Sequence, residues 1–451
     1  DHPAALADLD TALEAARALP SQGWQKRISN ASPVGPAETF FMTLRQTLYA
    51  RVEDSTSPYD LQAHLHPATD ELASAAEPLR AALAELGVPL CKLAASLKFI
   101  LYERADELES TERSRLEGAI RGLELRASGP VSGWQGLLEG LLTGPSDGFV
   151  DWMQIDRIDG TDRDVGVARH WLDPTIPFAH TVLEPAHGVA ITSATLRDMP
   201  PPSANDSPPA QTAGWESALA MTGALHLEHP TMRAAFDSPF DYPEQTRILV
   251  VNDLERERPQ ATAAAMASLM LAAGGGALGL FTAIRRLRAV HPKLVRQLEA
   301  EGLRLYAQHV DRMNLQTLLQ IFREEPHSCL LGTDAVRDGI DVPGEALRLI
   351  IFDRMPWPRA DILFKARAEW QGRDAWVDRV TRLKLRQAFG RLIRRATDRG
   401  VFVMLDSRLP TRLTSAFPPG VRVERVGLAE AVRITGEFLK DQYGPVPRLG
   451  Q

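Results

Sequence analysis

From about residue 245 onward the chain alternates short, apolar, β-branched runs with helical stretches, and few folds accept that rhythm. The runs are Arg247–Val251, Ala277–Phe281, Leu303–His309, Cys329–Gly332, Leu347–Phe352, Val401–Leu405 and Val421–Val426. Helices are expected at Pro259–Ala273, from Ala283, around Leu315–Phe322, in a long Arg-rich stretch before Val401, and near Leu428–Leu439. Parallel strands need crossovers long enough to hold a helix, and fully apolar strands need cover on both faces. The expected fold is therefore α/β, a parallel sheet between two helical layers, with ligands outside the carboxyl ends of the strands.

The first third reads differently. Apolar positions recur at three and four over Ala4–Leu19, Glu38–Val52, Leu61–Leu86, Pro89–Leu108 and Glu112–Leu125, with breaks at Pro33, Pro58 and Gly87. This predicts a long-helix domain with a packing or spacer role. After Gly144-Pro145-Ser146 the pattern turns to strands at Phe149–Ile155, Val165–Leu172 and His187–Ile191, followed by an exposed loop over Pro200–Gly214.

A net charge of −7 argues against nucleic acid until it is divided by position. Residues 1–150 hold 13 Lys+Arg against 21 Asp+Glu, and the remainder holds 38 against 37. Within that remainder Arg379, Arg382, Lys384, Arg386, Arg391, Arg394, Arg395 and Arg399 form a basic segment. Two cysteines, Cys91 and Cys329, are expected to be buried thiols and cannot build a four-cysteine iron–sulfur cluster. No apolar run approaches the ~20 residues of a membrane helix and no signal pattern opens the chain, so a cytoplasmic protein is expected. A chain opening on Asp1 rather than Met is expected to be a piece of something longer.

Four motifs carry chemistry. In Gln387-Ala388-Phe389-Gly390-Arg391-Leu392-Ile393-Arg394, a helix would place Gln387, Arg391 and Arg394 on one face, two guanidinium forks suited to a γ-phosphate, or else a solvated basic face. In Thr333-Asp334 through Gly339-Ile340-Asp341-Val342-Pro343-Gly344, Asp341 suits a ribose hydroxyl and Gly339 a close backbone approach to phosphate; a self-capped turn explains them equally. Thr192-Ser193-Ala194-Thr195 is either an N-cap cluster for a following helix or a hydroxyl-rich linkage. Gly279-Leu280-Phe281-Thr282 ends a strand ahead of Arg285, Arg286 and Arg288, which suit single-strand phosphates or a solvated face.

The order Thr-Ser-Ala-Thr-Leu, Ser238-Pro239-Phe240-Asp241, Leu-Phe-Thr, Gly-Ile-Asp-Val-Pro-Gly and Gln-x-x-Gly-Arg-x-Ile-Arg resembles the C-terminal motor motifs of superfamily 2 helicases of the XPD/DinG group, over roughly residues 186–410. The resemblance implies a helical Arch-like domain (1–145), the end of a first RecA-like domain with a linker (146–235) and a second RecA-like motor domain (236–451). It implies ATP-driven 5′–3′ translocation on single-stranded DNA, action at duplex junctions, a part in repair or replication, and a monomer. Residue by residue it implies Arg394 as arginine finger, Arg391 as a second γ-phosphate contact, Gln387 as their positioning partner, and Gly339 and Asp341 at the nucleotide. Thr192, Ser193 and Thr195 would couple hydrolysis to domain movement, and Thr282 and Thr333 would lie near the DNA.

The departures are equally plain. No Gly-x-x-x-x-Gly-Lys-Ser/Thr loop occurs, since Gly274-Gly275-Gly276 leads into Ala277-Leu278, and no Asp-Glu-x-His box occurs. Ala335-Val336-Arg337-Asp338 stands where the family carries an aromatic and a glutamate. ATP and Mg2+ ligands, and any iron–sulfur cluster, are expected upstream of this chain. The alternative is a catalytically inert module that keeps one RecA-like domain for binding nucleic acid or a partner.

Overall fold

The computed structural model describes residues 2–198, 214–255, 257–339 and 341–443. Its contacts divide the chain into two units, Asp1–Pro174 with Ala360–Arg367, and Thr175–Arg359 with Ala368–Gln451.

The first unit is helical, as its periodicity predicts, with one addition. Helices Pro3–Ala16, Gly35–Arg51, Asp70–Glu103, Ser110–Arg126 and Ser132–Thr143 accompany a three-stranded antiparallel sheet in the order β1 (Leu61–His64), β2 (Phe149–Ile158), β3 (Thr161–Trp171), with Gly35–Arg51 against the strands and Pro3–Ala16 and Ser110–Arg126 on the long helix Asp70–Glu103. Residues 61–64 are thus a strand rather than the start of a helix. The expected break at Gly87 is also absent: one 34-residue helix runs through Gly87 and through Pro78 and Pro89. Thr69 caps its start, accepting from the Leu72 N–H at 3.2 Å. Leu72, Ala76, Leu79, Leu83, Leu86 and Leu93 then form a continuous buried stripe along it. Burial of that stripe, ~1.5–3 kcal/mol per large side chain, outweighs what two prolines and a glycine cost the helix. Helices Trp24–Ser29 and Ser132–Thr143 had no counterpart in the sequence reading.

The hairpin β2–β3 shares this core. Met153, Ile155 and Val165 pack with Leu44, Leu48 and Leu72. The first unit accordingly extends through Pro174.

One buried ion pair ties the helices down. Glu38, 1% exposed, accepts from Arg27 Nε at 2.8 Å and from the Val34 N–H at 3.0 Å. The Arg27 hydrogen bond is the main reason its carboxyl is held down at about 2 against an ordinary 4.5. A depressed folded pKa contributes stability above the unfolded value, lost as pH falls through the folded one. The first unit is therefore expected to lose helical circular dichroism progressively from about pH 4.5 to about pH 2. Glu38→Gln should start less stable and show a flatter acid limb; an unchanged acid limb would refute the assignment.

The second unit holds the parallel sheet. Strands β4 (Thr246–Val251), β5 (Ala277–Leu280), β6 (Leu305–Ala307), β7 (Cys329–Gly332), β8 (Leu349–Phe352), β9 (Gly400–Met404) and β10 (Val423–Val426) lie in the order β10-β4-β9-β8-β5-β7-β6, every pair parallel. Side chains alternate faces with the pleat. Leu249, Val251, Ile351, Val401 and Val403 meet helices Pro259–Ala273, Ile284–Ala300 and Leu428–Tyr443. Ile248, Val250, Ile350, Phe402 and Met404 meet Leu315–Glu324, Asp334–Gly339 and Arg373–Phe389. This is the α/β architecture read from the strand–helix rhythm.

The three consecutive glycines have a structural use. Gly274, Gly275 and Gly276 take φ of 72°, 85° and 56°, left-handed values open to glycine at little cost. They stop the helix Pro259–Ala273 and turn the chain into β5. Arg348 clasps the turn, donating to the Gly274 carbonyl at 2.8 Å and the Gly275 carbonyl at 3.2 Å.

The expected strand His187–Ile191 does not form: these residues lie outside both sheets, with Val189 and Ile191 49% and 43% exposed. Most of the expected loop Pro200–Gly214 falls on 199–213, outside the described residues. Cys91 is exposed, against expectation, while Cys329 is buried in β7, where burial pushes its thiol up to about 12.

Candidate functional site

The arginine motif does not lie on a helix face. The helix Arg373–Phe389 ends just before Gly390, whose N–H still bonds to the Arg386 carbonyl. Arg391 and Leu392 then donate only three residues back, to Ala388 and Phe389, a tightened final turn. Leu392 and Ile393 are both buried in the core on one face of the sheet. Buried Asp398 then accepts the backbone N–H groups of Arg394 at 2.9 Å and Arg395 at 2.8 Å, folding the segment into a loop. Gln245 braces that loop through the carbonyls of Ala396 at 3.0 Å and Asp398 at 2.9 Å.

The same fold brings the aspartate motif to the arginines. Arg394 Nε lies 3.6 Å from Asp341 Oδ1, and Arg391 Nη2 donates to the Asp338 carbonyl at 2.9 Å. Arg323 donates to the Asp341 carbonyl at 2.6 Å. Beside them Arg337 pairs with Asp334 at 2.8 Å and Asp338 at 3.0 Å, and Lys384 with Asp334 at 3.0 Å. The Arg391 Nε is buried and without a hydrogen-bond partner. Burial, then the neighbouring Arg394, lower the Arg391 pKa from its ordinary value. The Arg394 side chain is 34% exposed and that of Asp341 72%, so their contact is loose and solvated. A concentration of guanidinium groups, one with an unused buried donor, suits a polyanion such as a triphosphate.

Asp341 and the two arginines stand at the amino-terminal approaches to β8 and β9: loop 341–348 runs into Leu349, and turn 390–399 into Gly400. Gln387 sits half-buried on the last helical turn. Gly339 closes the short helix Asp334–Gly339 without a left-handed φ, and an added Cβ would meet only the Leu319 side chain, at 3.6 Å. Its backbone conformation does not demand glycine.

Thr282 and Thr333 do occupy the carboxyl edge. Leu280 and Gly332 are register partners on β5 and β7, so the two threonines leave adjacent strands. Thr333 donates its N–H at 3.0 Å and its hydroxyl at 2.9 Å to Gln308 Oε1, while Thr282 is exposed. Of the three arginines that follow, Arg286 is committed elsewhere: it pairs with buried Asp353 at 2.7 Å and donates to Thr262 Oγ1 at 2.7 Å. Arg285 and Arg288 remain exposed.

Thr192, Ser193 and Thr195 start no helix, contrary to the N-cap expectation. Ser193 Oγ accepts the Thr195 N–H at 3.1 Å in a small turn. Three residues on, the sequence reading missed a tie: Asp198 takes Arg382 in a fork, Nε at 3.1 Å and Nη2 at 2.7 Å, with Arg386 Nη2 at 3.6 Å. Arg382 and Arg386 stand one turn apart on the helix that ends in the arginine loop. Their i, i+4 spacing was the available signal, but nothing in sequence pointed to Asp198 as the acceptor.

Among the described residues no group of three or more His, Cys, Asp or Glu could hold a metal ion, and no helix is long and apolar enough to cross a membrane. A cavity of about 570 Å³ in the first unit, lined by Leu6, Leu9, Leu93, Leu97 and Leu123, has no such chemistry.

Comparison with known proteins bears on the second unit. Residues 266–423 match the family described as "Helicase C-terminal domain". The ATP-dependent helicase DinG of Mycobacterium tuberculosis is 32% identical over 223 residues, 46% of this chain and 33% of that protein. The protein named 3′-5′ exonuclease DinG of Bacillus subtilis is 26% identical over 288 residues, 61% of this chain and 29% of that one. The matches therefore span about a third of each relative's length. The structure of S. tokodaii Xpd4 aligns with 94% of this chain and 74% of that one at 11% identity and a TM-score of 0.40.

Proposed function

We propose that the chain carries a helicase C-terminal domain of the DinG type and supplies the arginine side of an ATP site and one edge of a nucleic-acid track in a DNA helicase, a reading supported by the match over residues 266–423 and by the DinG relatives. The observation carrying this reading is the meeting of Arg391 and Arg394 with the 338–341 loop, which gathers two separate motifs into one cationic surface. Arg394 acts as the arginine finger, its fork placed on charge that develops as the γ-phosphate departs. Arg391 is the second phosphate contact. Gln387 holds them in place, and Gly339 and Asp341 flank the nucleotide.

ATP supplies the phosphoryl group, with Mg2+ on its outer oxygens. The residues present suit the anion, whereas the phosphate loop and the magnesium ligands belong to a first motor domain outside these 451 residues. An iron–sulfur cluster, if the whole protein has one, belongs there too. Thr192, Ser193 and Thr195, joined through Asp198 to the helix that ends in the arginine loop, form the route by which hydrolysis moves one motor domain against the other. The carboxyl edge, with Thr282, Thr333, Arg285 and Arg288, faces single-stranded DNA, and 5′–3′ translocation toward duplex junctions in repair or replication completes the reading.

The test is single-stranded-DNA-stimulated ATP hydrolysis by this chain alone and by the same chain joined to a first motor domain. Turnover in the joined protein only is expected. Turnover by the isolated chain would refute the division of the site, and none in either would favour an inert binding module.

A further inference from the structure

The turn after β6 contains a residue whose backbone pays for something its fold does not need. His309 has φ of 66°, one of three non-glycine residues with positive φ among those described. The turn is closed without its side chain: the Asp311 N–H bonds to the Ala307 carbonyl at 3.0 Å, and Asp311 Oδ2 accepts the Ala307 N–H at 2.7 Å. The His309 carbonyl accepts from Arg288 Nε at 3.3 Å, a bond glycine would make equally well. Strain retained where nothing structural requires it points to a use at the surface.

That surface is the carboxyl edge. Ala307, the last residue of β6, is the register partner of Leu331 on β7, so the turn that carries His309 leaves the carboxyl edge beside the strand that runs into Thr333. The intervening Gln308 receives both Thr333 hydrogen bonds. His309 is exposed, as are Val310 and Met313 in the same segment, 37% and 39%. Arg285 and Arg288 lie on the neighbouring helix. A planar ring among apolar side chains, beside cations, is the composition of a platform on which a nucleic-acid base stacks while its phosphates meet the arginines.

We propose that His309 is a base-stacking residue for single-stranded DNA at the carboxyl edge of the sheet, presented there by its left-handed backbone next to Gln308, the hydrogen-bond partner of Thr333. The proposal rests on the reading of that edge as the nucleic-acid track. Partial desolvation of the ring, then the Arg288 charge, lower the imidazole pKa from its ordinary 6.5. The ring is thus neutral near pH 7 and offers its face rather than a charge.

The experiment is anisotropy of a labelled oligothymidine titrated with the 451-residue chain across a salt series. His309→Gly is expected to bind about tenfold more weakly with the salt slope unchanged, because a stack releases no counterions. Its melting temperature should equal or exceed that of the parent. His309→Phe should recover most of the affinity. Arg285→Ala should instead reduce the salt slope by about one. His309→Gly binding like the parent, or weakening together with a lower melting temperature, overturns the stacking role while leaving the track intact if Arg285→Ala behaves as expected. No binding by the parent chain, or an unaltered slope for Arg285→Ala, overturns the track and the stacking role together.

Discussion

Arg394→Ala, made in a protein that also carries the first motor domain, is expected to lower DNA-stimulated ATP turnover by roughly 10³–10⁵-fold while leaving single-stranded DNA affinity nearly unchanged. The geometry gives the reason for that split. Arg394 is held by one loose contact to an exposed aspartate, so its removal leaves no buried charge unpaired and no cavity. Its backbone N–H, which does structural work on Asp398, survives the substitution. The loss therefore falls on the chemical step. Arg394→Lys should rescue little, because an ammonium cannot reproduce the planar fork. Retained turnover in the alanine variant, measured under saturating DNA, would sink the finger assignment.

Gly275→Ala should have the largest effect on folding. At φ of 85° an L side chain is strained, and its Cβ would sit 2.1 Å from the His327 carbonyl oxygen and 2.5 Å from its carbon. Both obstacles are backbone, so no side chain can swing aside. Left-handed strain costs about 1–2 kcal/mol and overpacking typically 1–3 more, together roughly 3 kcal/mol. The denaturation midpoint of the second unit should drop accordingly. Gly339→Ala is the informative contrast, since its Cβ has room and its φ is ordinary. It should leave stability within about 0.5 kcal/mol. A fall in ATP turnover in that variant would then report on nucleotide approach rather than on folding.

The second unit was legible because its signals were local and agreed with one another. The helix Pro259–Ala273 appears with the expected bounds, and all seven strands fall on their apolar runs. Such runs must be buried on both faces wherever they go, so tertiary context had little to override. The first unit was less so. Leu61–His64 carries an apolar alternation too short to announce itself, and it becomes a strand only because Leu61–His64 finds Trp152–Ile155 as a partner about ninety residues away. Gly87 read as a breaker, and a long buried stripe carried the helix through it and through Pro78 and Pro89.

At the candidate site the residue types were legible and their supports were not. Arg391, Arg394 and Asp341 were identifiable, and the fold brings them together. Their periodicity misled, because the helix ends at Phe389 and Asp398 accepts the Arg394 and Arg395 N–H groups in the loop that follows. Thr282 and Thr333 lie at the carboxyl edge, whereas Arg391 and Arg394 gather at the amino-terminal approach to β9. Arg286 looked like a phosphate ligand until Asp353, just past the end of β8, claimed it.

The segment His187–Ile191 has a bearing on how the polypeptide behaves in the test tube. It has the composition of a sheet strand yet lies outside both sheets, with Val189 and Ile191 turned largely to solvent. An unpaired, uncharged, β-branched stretch is a template for intermolecular pairing. Preparations of these 451 residues are therefore expected to self-associate as concentration rises, by strand addition rather than by loss of the core. Lysine at 189 and 191 should suppress it, as light scattering would show, and a shorter polypeptide opening near residue 236 should remain dispersed.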